Sequence, residues 1–577
     1  MHKQVRALFV TAVGVSSVTL VAAQAPVRQP PSDAFAHKPP NIVLIALDDI
    51  GFADLGAFGS EIRTPNIDSL AQNGLRYTHF DTKAICAPTR ASLLTGRNCQ
   101  TIRMGDLPSN LSAPDPQDVS SIKGEIPSNV EFLPQALHSA GYNTFAVGKW
   151  HLSPVYETGK PGNNASFPLQ RGFDYFYGYK MGWTDQYHPL LFEGNNPVPE
   201  PYHDGYYLSQ DLAEHAINAM KRSQLVAPQK PMFLYLAMPF AHAPLQAPKE
   251  YIDRYACTYQ KGWDVLRQER FAREKDLGLI PAYTKLPPRE NGDPAWDSLT
   301  PQQRRVYSRF MAAYAGYIEY GDEQLGKVLA YLKDAGLDDN TLVVLITDNG
   351  AASEMKQGGF RRPYFDKTTL AEMDGHLMEL GSPSTEPLYQ RPWAMAGDTP
   401  FRRYKLWPYL GGVRTPMIIR WPGMVPDPGA IRKQWVDVID IAPTLLGAAD
   451  THFDDSINGV QQVPIAGKSF LGTIRNPKES SARDVQFFEL RGNRAIASGR
   501  WRAVAMHKRG TSFSADQWQL FDIRSDPSES DDLSKKYPAQ LQAMQRIWEE
   551  EATKYGDLHL VEPPALLAHA YDDAFMD

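Results

Sequence analysis

Five largely apolar runs recur along the chain and predict the strands of a buried sheet. They are Asn41–Leu47, Tyr142–Val147, Pro231–Ala237, Thr341–Ile346 and Pro416–Arg420. Continuous apolar runs of this kind are typical of strands that are covered on both faces in a parallel sheet. Helical stretches such as Ser308–Lys333 lie between them. The alternation predicts an α/β fold in which helices flank a large, mostly parallel central sheet.

Shorter strands and turns replace the long runs toward the C-terminus. A hairpin is predicted at Ala495–Met506, a further strand at Gln517–Ile523 and a final helix at Pro538–Tyr555. We therefore predict a main catalytic domain over residues 41–436. It is followed by a smaller C-terminal α+β subdomain, an antiparallel sheet plus a helix, over residues 437–577.

Two polar, Pro-rich stretches interrupt the main domain, at Asp253–Thr300 and Phe360–Asp398. Long inserted stretches of this kind more often shape the mouth of a site than a core. We expect both of them to border a substrate.

The first residues have the pattern of an export signal. Lys3 and Arg6 precede the apolar run Ala7–Val15, and small residues follow, which predicts a signal peptide over residues 1–25. Residues 26–40 then form a Pro-rich leader. A membrane anchor is the alternative, because the apolar stretch approaches the ~20 residues that a span requires, but its Gly, Ser and Thr content weakens that interpretation.

Composition narrows the compartment and the class of partner. The chain has three cysteines and a net charge of -7. Three cysteines cannot form a disulfide scaffold, so we favour secretion into a bacterial periplasm over a lysosome or a secretory lumen. A negative net charge offers no basic field for a nucleic-acid backbone, so no nucleic-acid partner is expected. No membrane association is expected after signal cleavage.

Polar side chains follow four of the predicted strands at the points where these strands end. Asp48 and Asp49 follow the first run, and Asp348 and Asn349 follow the fourth. Lys149 and His151 follow the second run, and His242 follows the third. Because the carboxyl ends of parallel strands form the ligand crevice of an open sheet, the sequence predicts a single site there.

The two acidic pairs, Asp48–Asp49 and Asp348–Asn349, offer only oxygen ligands. Adjacent carboxylates repel one another unless a cation lies between them. Hard oxygen ligands select Ca²⁺ or Mg²⁺, and zinc is disfavoured because neither pair has a His or Cys close by in the sequence. The alternative for a single pair is a helix N-cap, which two pairs after buried strands make the weaker interpretation.

Cys86 begins a segment that indicates a reactive group. Pro88 stiffens a turn, and Arg90 opens a helix one turn beyond Cys86. A helix N-terminus and a neighbouring cation both favour an anion, which indicates a reactive thiolate, with an inert buried cysteine as the alternative. A thiolate is nevertheless a soft ligand and does not match a hard cation. An oxygen nucleophile at this position would remove the mismatch.

These segments resemble the signatures of the type I sulfatases of the alkaline phosphatase superfamily. The Cys-x-Pro-Thr-Arg core at Cys86–Arg90, with the trailing Leu93–Gly96, matches the first signature, and Gly141–His151 matches the second. The likeness continues through Phe240–Leu245, Thr347–Gly350, Thr399–Lys405, Gln519–Ile523 and Asp526–Glu529. It covers essentially the whole chain after residue 40 and is greatest with the bacterial arylsulfatases.

The resemblance implies a formylglycine mechanism for sulfate ester hydrolysis. A maturation enzyme would oxidise Cys86 to formylglycine (3-oxoalanine), and one hydroxyl of the hydrated aldehyde would attack sulfur. The second hydroxyl would then lose its proton, so that the sulfated hydrate collapses to aldehyde and sulfate. The substrate class implied is a small-molecule or saccharide sulfate ester, with an aryl sulfate favoured.

The resemblance also implies a role for each candidate residue. The implied ligands of one divalent cation, with Ca²⁺ favoured over Mg²⁺, are Asp48, Asp49, Asp348, Asn349 and the modified Cys86. The implied catalytic residues are Cys86, Arg90 to orient the hydrate, Lys149 and Lys405 to neutralise sulfate oxygens, His242 to protonate the leaving oxygen, and His151 as the base. Fixed cations and positioned imidazoles suit these roles.

Three of these residues also have a simpler interpretation. His151 could be a core histidine, His242 could cap a turn, and Lys405 could be a solvated charge. One departure from the family concerns Leu410, which precedes Gly411–Gly412 where members commonly have Glu. The departure affects the expected loop geometry more than the chemistry.

Two other functions fit parts of the sequence. A phosphoester or phosphonate monoester hydrolase of the same superfamily binds a tetrahedral anion with a similar metal and nucleophile. A sulfated-glycan binding module would need the fold and the cation but no modified cysteine. The presence of Cys86, Lys149, His151 and His242 together argues against a pure binding module.

Overall fold

The computed structural model describes residues 38–108, 124–154, 157, 164–200, 202–353, 368–556 and 560. The predicted signal peptide, residues 1–25, lies outside the described residues, as does most of the predicted leader, residues 26–40. Within the described ranges, no helix combines the length and the apolar character that crossing a bilayer requires.

The described chain alternates between strands and helices through most of its length. The strands are β1 (Asn41–Leu47), β2 (Leu75–Tyr77), β3 (Phe80–Asp81), β4 (Asn143–Lys149), β5 (Tyr175–Tyr179), β6 (Phe192–Glu193), β7 (Asn196–Pro197), β8 (Met232–Ala237), β9 (Thr341–Thr347), β10 (Met417–Arg420), β11 (Ile431–Arg432), β12 (Val436–Asp437), β13 (Ser456–Ile457), β14 (Val460–Gln461), β15 (Val485–Leu490), β16 (Asn493–Ser498), β17 (Trp501–Ala505) and β18 (Trp518–Asp522). The α-helices are α1 (Pro65–Gln72), α2 (Cys86–Thr95), α3 (Leu133–Ser139), α4 (Leu208–Val226), α5 (Lys249–Asp253), α6 (Gly262–Asp276), α7 (Pro301–Asp334), α8 (Leu370–Gly375), α9 (Arg391–Gly397), α10 (Leu410–Val413), α11 (Ile441–Ala448), α12 (Leu471–Arg475) and α13 (Pro538–Tyr555).

Ten of the described strands form the central sheet in the spatial order β11-β2-β10-β9-β1-β8-β4-β5-β6-β7. The five strands from β9 to β5 are mutually parallel, so the prediction of a mostly parallel sheet is confirmed. The fifth predicted run forms β10, which is antiparallel to β9 and β2. Its direction could not be predicted, because an apolar run is buried on both faces whichever way it points.

Alternate residues of β1 supply the two hydrophobic cores on either side of the sheet. Val43 and Ile45 pack with helices α4 and α7 on one face. Ile42 and Leu44 pack with α2, α3 and α11 on the other. Period-two alternation within a continuous apolar run is what a sheet covered on both faces requires.

The long helix α7 begins earlier than its hydrophobic pattern predicts. The hydroxyl of Thr300 accepts a hydrogen bond from the N–H of Gln303, and the side chain of Gln303 accepts one from the N–H of Thr300. This reciprocal cap satisfies donors that the first helical turn leaves unpaired. It places the helix start at Pro301, one turn and more before the predicted Ser308.

A second, antiparallel sheet of β15, β16, β17 and β18 carries α13 on one face. Phe487 and Trp548 join the two elements. The predicted hairpin forms β16 and β17, and the predicted final helix forms α13, which confirms the small C-terminal antiparallel sheet with its helix. The sequence pattern missed β15. The predicted domain boundary after residue 436 falls inside β12 and stays a prediction.

The two inserted stretches contribute more to the core than expected. In the first, α6 buries Trp263 and Arg270, and in the second every residue of α9 is buried. Trp263, Trp296 and Trp393 contact one another. Parts of both stretches therefore belong to the core, and the expectation that the stretches border a substrate stays a prediction. Residues 354–367 lie outside the described ranges.

Candidate active site

The ends of four neighbouring strands bring the predicted polar residues together. Leu47 of β1 is in register with Thr347 of β9, so the two acidic pairs follow neighbouring strands at the same level. The N–H of Asp49 donates to Asp348 Oδ1 at 3.3 Å. On the other side of β1, the N–H of Asp48 donates to the carbonyl oxygen of Phe240 at 3.0 Å, beyond the end of β8.

Two lysines reach the acidic pair after β1 from different elements. Lys149, the last residue of β4, places Nζ 2.7 Å from Asp48 Oδ2. Lys405, in the segment before α10, places Nζ 2.8 Å from Asp49 Oδ2. Both carboxylates are fully buried. Each lysine therefore balances one of two charges that would otherwise repel each other.

Arg90 balances the carboxylate that follows β9. Its Nε lies 2.8 Å from Asp348 Oδ2, and its Nη2 lies 2.7 Å from the same oxygen. Its Nη1 donates to the hydroxyl of Tyr235 at 3.1 Å. Nη2 is also 3.8 Å from Asp48 Oδ1. Arg90 thus joins helix α2 to both acidic pairs.

Two buried oxygens in this cluster suit a hard cation. Among the residues that the structure describes, Asp48 Oδ1 and Asn349 Oδ1 have no hydrogen-bond partner. The Nδ2 of Asn349 donates to Asp49 Oδ1 at 2.6 Å, so the Asn349 amide oxygen is the atom left over. Leaving a buried polar atom without a partner is costly. A divalent cation held by oxygen ligands would satisfy both atoms, so the residues fit such an ion.

One nitrogen ligand also lies within reach of this cluster. Asp48, Asp49 and His242 each offer an atom within 4.8 Å of the others. The sequence argument against zinc rested on the absence of a histidine close to either pair along the chain, whereas the fold brings His242 beside Asp48 and Asp49. His242 follows β8, which is the neighbour of β1 in the sheet. The donor set remains dominated by oxygen.

The two carboxylates after β1 differ in electrostatic environment. Burial raises the pKa of Asp48 to about 7, with Lys149 opposing and Asp348 adding to the rise. Burial also acts to raise the pKa of Asp49, but Lys405 and His242 outweigh it and lower that pKa below its ordinary value. Asp49 is therefore the carboxylate of the pair that keeps its charge most readily.

Cys86 lies at the start of helix α2 and is 2% exposed. Its Sγ is 3.2 Å from His151 Nδ1. Burial raises the pKa of the thiol, although Lys149 and Lys405 oppose the rise. Of the two interpretations that the sequence left open, the raised pKa and the burial favour a buried neutral thiol over a reactive thiolate, because desolvation outweighs the nearby cations.

Backbone hydrogen bonds hold His151 just beyond the carboxyl end of β4. Trp150 and His151 continue the β4–β5 pairing, with N–H donors to the carbonyl oxygens of Tyr179 and Lys180 at 3.0 and 3.2 Å. His151 has a left-handed backbone, with φ 56°. Burial, together with Lys149, holds its pKa well below the ordinary histidine value. The imidazole is neutral at neutral pH and can accept a proton.

His242 faces the cluster from the loop after β8. Its Nδ1 donates to the carbonyl oxygen of Ala243 at 2.7 Å, which leaves Nε2 directed at Asp49 Oδ2 at 3.5 Å. Burial lowers its pKa to about 3, with Asp49 opposing. Charging this ring therefore requires a further negative group nearby.

Three residues that support the cluster were not predicted. Tyr235 holds Arg90, Gly182 adjoins the ring of His151, and Asp398 bonds to the loop after Asn349. A tyrosine inside an apolar run is a signal for a buried hydroxyl partner, so Tyr235 could have been found. The other two act over long chain separations and left no local pattern. Leu410, the noted departure, donates its N–H to Glu529 Oε2 at 2.8 Å.

Comparisons with known proteins agree with this geometry. The sulfatase family model matches residues 40–451, and an N-sulphoglucosamine sulphohydrolase C-terminal model matches residues 404–554. An uncharacterised sulfatase of Schizosaccharomyces pombe is 34% identical over 530 residues, covering 89% of this chain and 93% of the relative. The arylsulfatase of Klebsiella aerogenes is 31% identical over 475 residues, covering 80% and 96%.

A solved structure shows the same fold. It is described as BT4656 in complex with its substrate D-glucosamine-2-N,6-O-disulfate. It has a TM-score of 0.58 at 18% identity and covers 91% of this chain and 99% of its own. From the family match over most of its length, we conclude that this chain belongs to the sulfatases, the type I sulfuric ester hydrolases of the alkaline phosphatase superfamily.

Proposed function

We propose that this sulfatase hydrolyses aryl sulfates with a formylglycine derived from Cys86 and one bound divalent cation, with Ca²⁺ favoured. The observation that carries the proposal is the position of Cys86. Its Sγ lies 3.2 Å from His151 Nδ1, and the buried charges of Lys149 and Lys405 act on it. A buried thiol with a raised pKa is a poor nucleophile. A modified side chain at the same position explains why so many cations surround it.

When present, the formylglycine hydrate supplies an oxygen nucleophile and the cation supplies Lewis acidity. The chain's own ligands for the cation are the acidic pairs after β1 and β9, Asp48, Asp49, Asp348 and Asn349. Their support is the two buried oxygens without hydrogen-bond partners in the described chain, Asp48 Oδ1 and Asn349 Oδ1. Arg90 contacts Asp348 and lies one helical turn after Cys86 in α2, which suits a role in orienting residue 86.

Lys149 and Lys405 bind sulfate oxygens in this proposal. Both ammonium groups contact the acidic pair after β1, Lys149 from the end of β4 and Lys405 from the segment before α10. Positive charge that is already held in place beside the sulfate group would stabilise the negative charge that develops in the transition state.

The two histidines divide the proton transfers. His151 is neutral and adjoins residue 86, so it can take a proton there as the base. His242 has Nδ1 fixed on the carbonyl of Ala243 and Nε2 turned to the cluster. A bound sulfate brings negative charge toward His242, which favours its protonated form and allows it to donate to the leaving oxygen.

The first experiment measures hydrolysis of 4-nitrophenyl sulfate beside 4-nitrophenyl phosphate and a phenyl phosphonate ester. We expect the sulfate to have the highest kcat/KM and the Cys86→Ala variant to lose its turnover. The matched control is Cys257→Ala, because Cys257 is exposed and free. Faster turnover of the phosphorus esters would instead support the rival hydrolase. A wild-type protein that binds sulfate esters without turnover, and whose affinity is unchanged in Cys86→Ala, would support a binding module.

The second experiment tests the modification directly. Mass spectrometry of the peptide Ala84–Arg90, from active protein made in its own host, should show formylglycine at position 86. A maturation enzyme in that host is part of the proposal. An unmodified thiol throughout fully active protein would refute the mechanism.

The third experiment concerns the aryl preference. Its support is the named arylsulfatase relative. A panel of aryl, monosaccharide and alkyl sulfates should give the highest kcat/KM for the aryl esters. A higher value for glucosamine sulfates would change the substrate class and leave sulfate ester hydrolysis intact.

We also propose export to a bacterial periplasm, on the support of the sequence pattern Ala7–Val15 alone. Fractionation of the producing cells, followed by immunodetection, should find the protein in the periplasmic fraction. Its recovery in the cytoplasm would contradict the proposal.

A further inference from the structure

A buried carboxylate behind the acidic pairs has no role in the chemistry described above. Asp398 follows helix α9 and is 0% exposed. Its Oδ1 accepts a hydrogen bond from the N–H of Ala351 at 3.0 Å, two residues after Asn349. The N–H of Phe52, three residues after Asp49, makes a second favourable contact with this carboxylate. One side chain thus touches both loops that carry the candidate cation ligands.

Both loops approach Asp398 at a glycine. A Cβ atom at Gly51 would lie 2.7 Å from Asp398 Oδ1, and a Cβ atom at Gly350 would lie 2.9 Å from the same oxygen. Real Cβ atoms do not come this close to a neighbouring atom. The loops therefore lie against the carboxylate at van der Waals distance, and each follows its acidic pair by one or two residues.

The end of α9 also grips the first loop through its backbone. The carbonyl oxygen of Gly397 accepts a hydrogen bond from the N–H of Ala53 at 2.8 Å. The second loop has its bond from Ala351 to the Asp398 side chain. The C-terminal end of α9 thus contacts both loops, in addition to the direct hydrogen bonds that join Asp49 to Asp348 and Asn349.

Asp398 is not placed there by an ion pair. Within the described part of the chain, its second oxygen, Oδ2, has no hydrogen-bond partner. Burying a carboxylate without a direct cationic partner is costly. Such a cost is tolerated where the group fixes a geometry that the rest of the site depends on.

We propose that Asp398 is a positioning residue that holds the loops after β1 and β9 at the separation at which their oxygen ligands converge on one cation. The inference rests on the proposed function, because it assumes that the acidic pairs bind a cation. Groups that orient metal ligands without touching the metal typically change metal affinity by ~10- to 100-fold when they are replaced.

The test is calcium affinity of the full chain, measured by isothermal titration calorimetry after chelation and dialysis, with Mg²⁺ titrated in parallel. Asp398→Ala removes the acceptor of both loops, and we expect its Kd for the cation to rise ~10- to 100-fold. Asp398→Asn keeps an oxygen that can accept from Ala351, and we expect its Kd to return to within about threefold of the wild type.

Asp322→Ala is the matched control for the loss of a buried carboxylate. Asp322 is 1% exposed and accepts hydrogen bonds from the backbone N–H groups of Asn66 and Ile67, at 3.1 and 2.8 Å, away from the acidic pairs. Its removal should lower the thermal midpoint about as much as Asp398→Ala does, and leave the cation affinity unchanged.

Three results would overturn the inference. Wild-type affinity in Asp398→Ala would show that the loops need no clamp. An equal loss of affinity in Asp322→Ala would show a general effect of destabilisation. Weak binding by a well-folded Asp398→Asn would show that the charge, and not the hydrogen bond, matters. If Asp398→Ala does not fold, unaltered affinity in Asp398→Asn is the result that supports the inference. A wild-type protein that binds neither cation would refute the cation in the proposed function itself.

Discussion

The tight contact between Gly182 and His151 allows one prediction to be worked out in detail. A Cβ atom built on Gly182 would lie 2.6 Å from His151 Cε1 and 2.8 Å from Nε2. The backbone of Gly182 is outside the left-handed region, so alanine brings a steric cost without backbone strain. The Gly182→Ala variant thus tests the position of the His151 ring and little else.

The size of the effect follows from these distances. Ordinary carbon contacts begin near 3.4 Å, so the ring or the loop must move by about 0.8 Å. The ring cannot retreat freely, because the N–H groups of Trp150 and His151 are hydrogen-bonded to the carbonyl oxygens of Tyr179 and Lys180. A displacement near 1 Å can cost ~10²-fold in rate. We expect Gly182→Ala to lower kcat by about that factor with little change in KM.

The assay is steady-state hydrolysis of 4-nitrophenyl sulfate, with Gly375→Ala as the matched control. Gly375 ends helix α8, and its Cβ atom would meet nothing within 4 Å. A double-mutant cycle with His151→Ala identifies the route, because Gly182→Ala should cost at most about twofold more once the ring is gone. Full activity of Gly182→Ala, or additive losses in the cycle, would refute the reasoning.

Three further predictions concern stability and the cation. Arg270 is fully buried against Asp54 and Glu61. Arg270→Met should therefore lower the free energy of unfolding by ~3–5 kcal/mol in urea titrations. A loss below about 1 kcal/mol would contradict a stabilising role for these ion pairs. Burial lowers the pKa of Lys180 to about 7, with Glu157 opposing. Between about pH 7 and pH 10.5, Lys180 therefore binds fewer protons in the folded state than in the unfolded state, so its contribution to stability rises with pH across that window. Lys180→Met should flatten this rise in thermal midpoints, and parallel curves for both proteins would speak against it. Chelation should abolish hydrolysis and added Ca²⁺ should restore it, whereas chelator-resistant turnover would exclude an exchangeable cation.

The positions of the acidic pairs were predictable because their causes are local. Each pair follows a continuous apolar run, and parallel strands that are buried on both faces end at a common edge. The structure places both pairs together, with Asp49 bonded to Asp348. The sequence pattern needed no knowledge of distant contacts to reach this result.

The supporting residues could not be predicted for the opposite reason. Arg270 lies 216 residues from Asp54, and Asp398 lies 47 residues from Ala351. Neither residue belongs to a pattern with a helical or strand period, and both sit in stretches whose polar composition indicated surface. Their burial is set by tertiary packing, which overrides local preference.

The sequence left the state of the Cys86 thiol open for a similar reason. A helix N-terminus and Arg90 are visible in the sequence, and both favour an anion. The degree of burial is not visible, and burial dominates the pKa of Cys86 in the fold. The local charges could thus be read from the sequence, whereas the degree of burial that decides between the two interpretations could not.

The contact between helix α2 and the segment after β9 cannot form until a long stretch of the chain has been synthesised. Arg90 and its partner Asp348 are 258 residues apart in the chain. At ~5–20 residues per second, a ribosome needs on the order of ten to fifty seconds to supply the second after the first. During that interval the segment around Cys86 lacks the strand that encloses it, whereas in the finished fold the side chain is 2% exposed. If Cys86 is modified as proposed, its burial in the finished fold favours modification of the nascent or still-unfolded polypeptide, and conditions that speed folding should then leave more of the product unconverted.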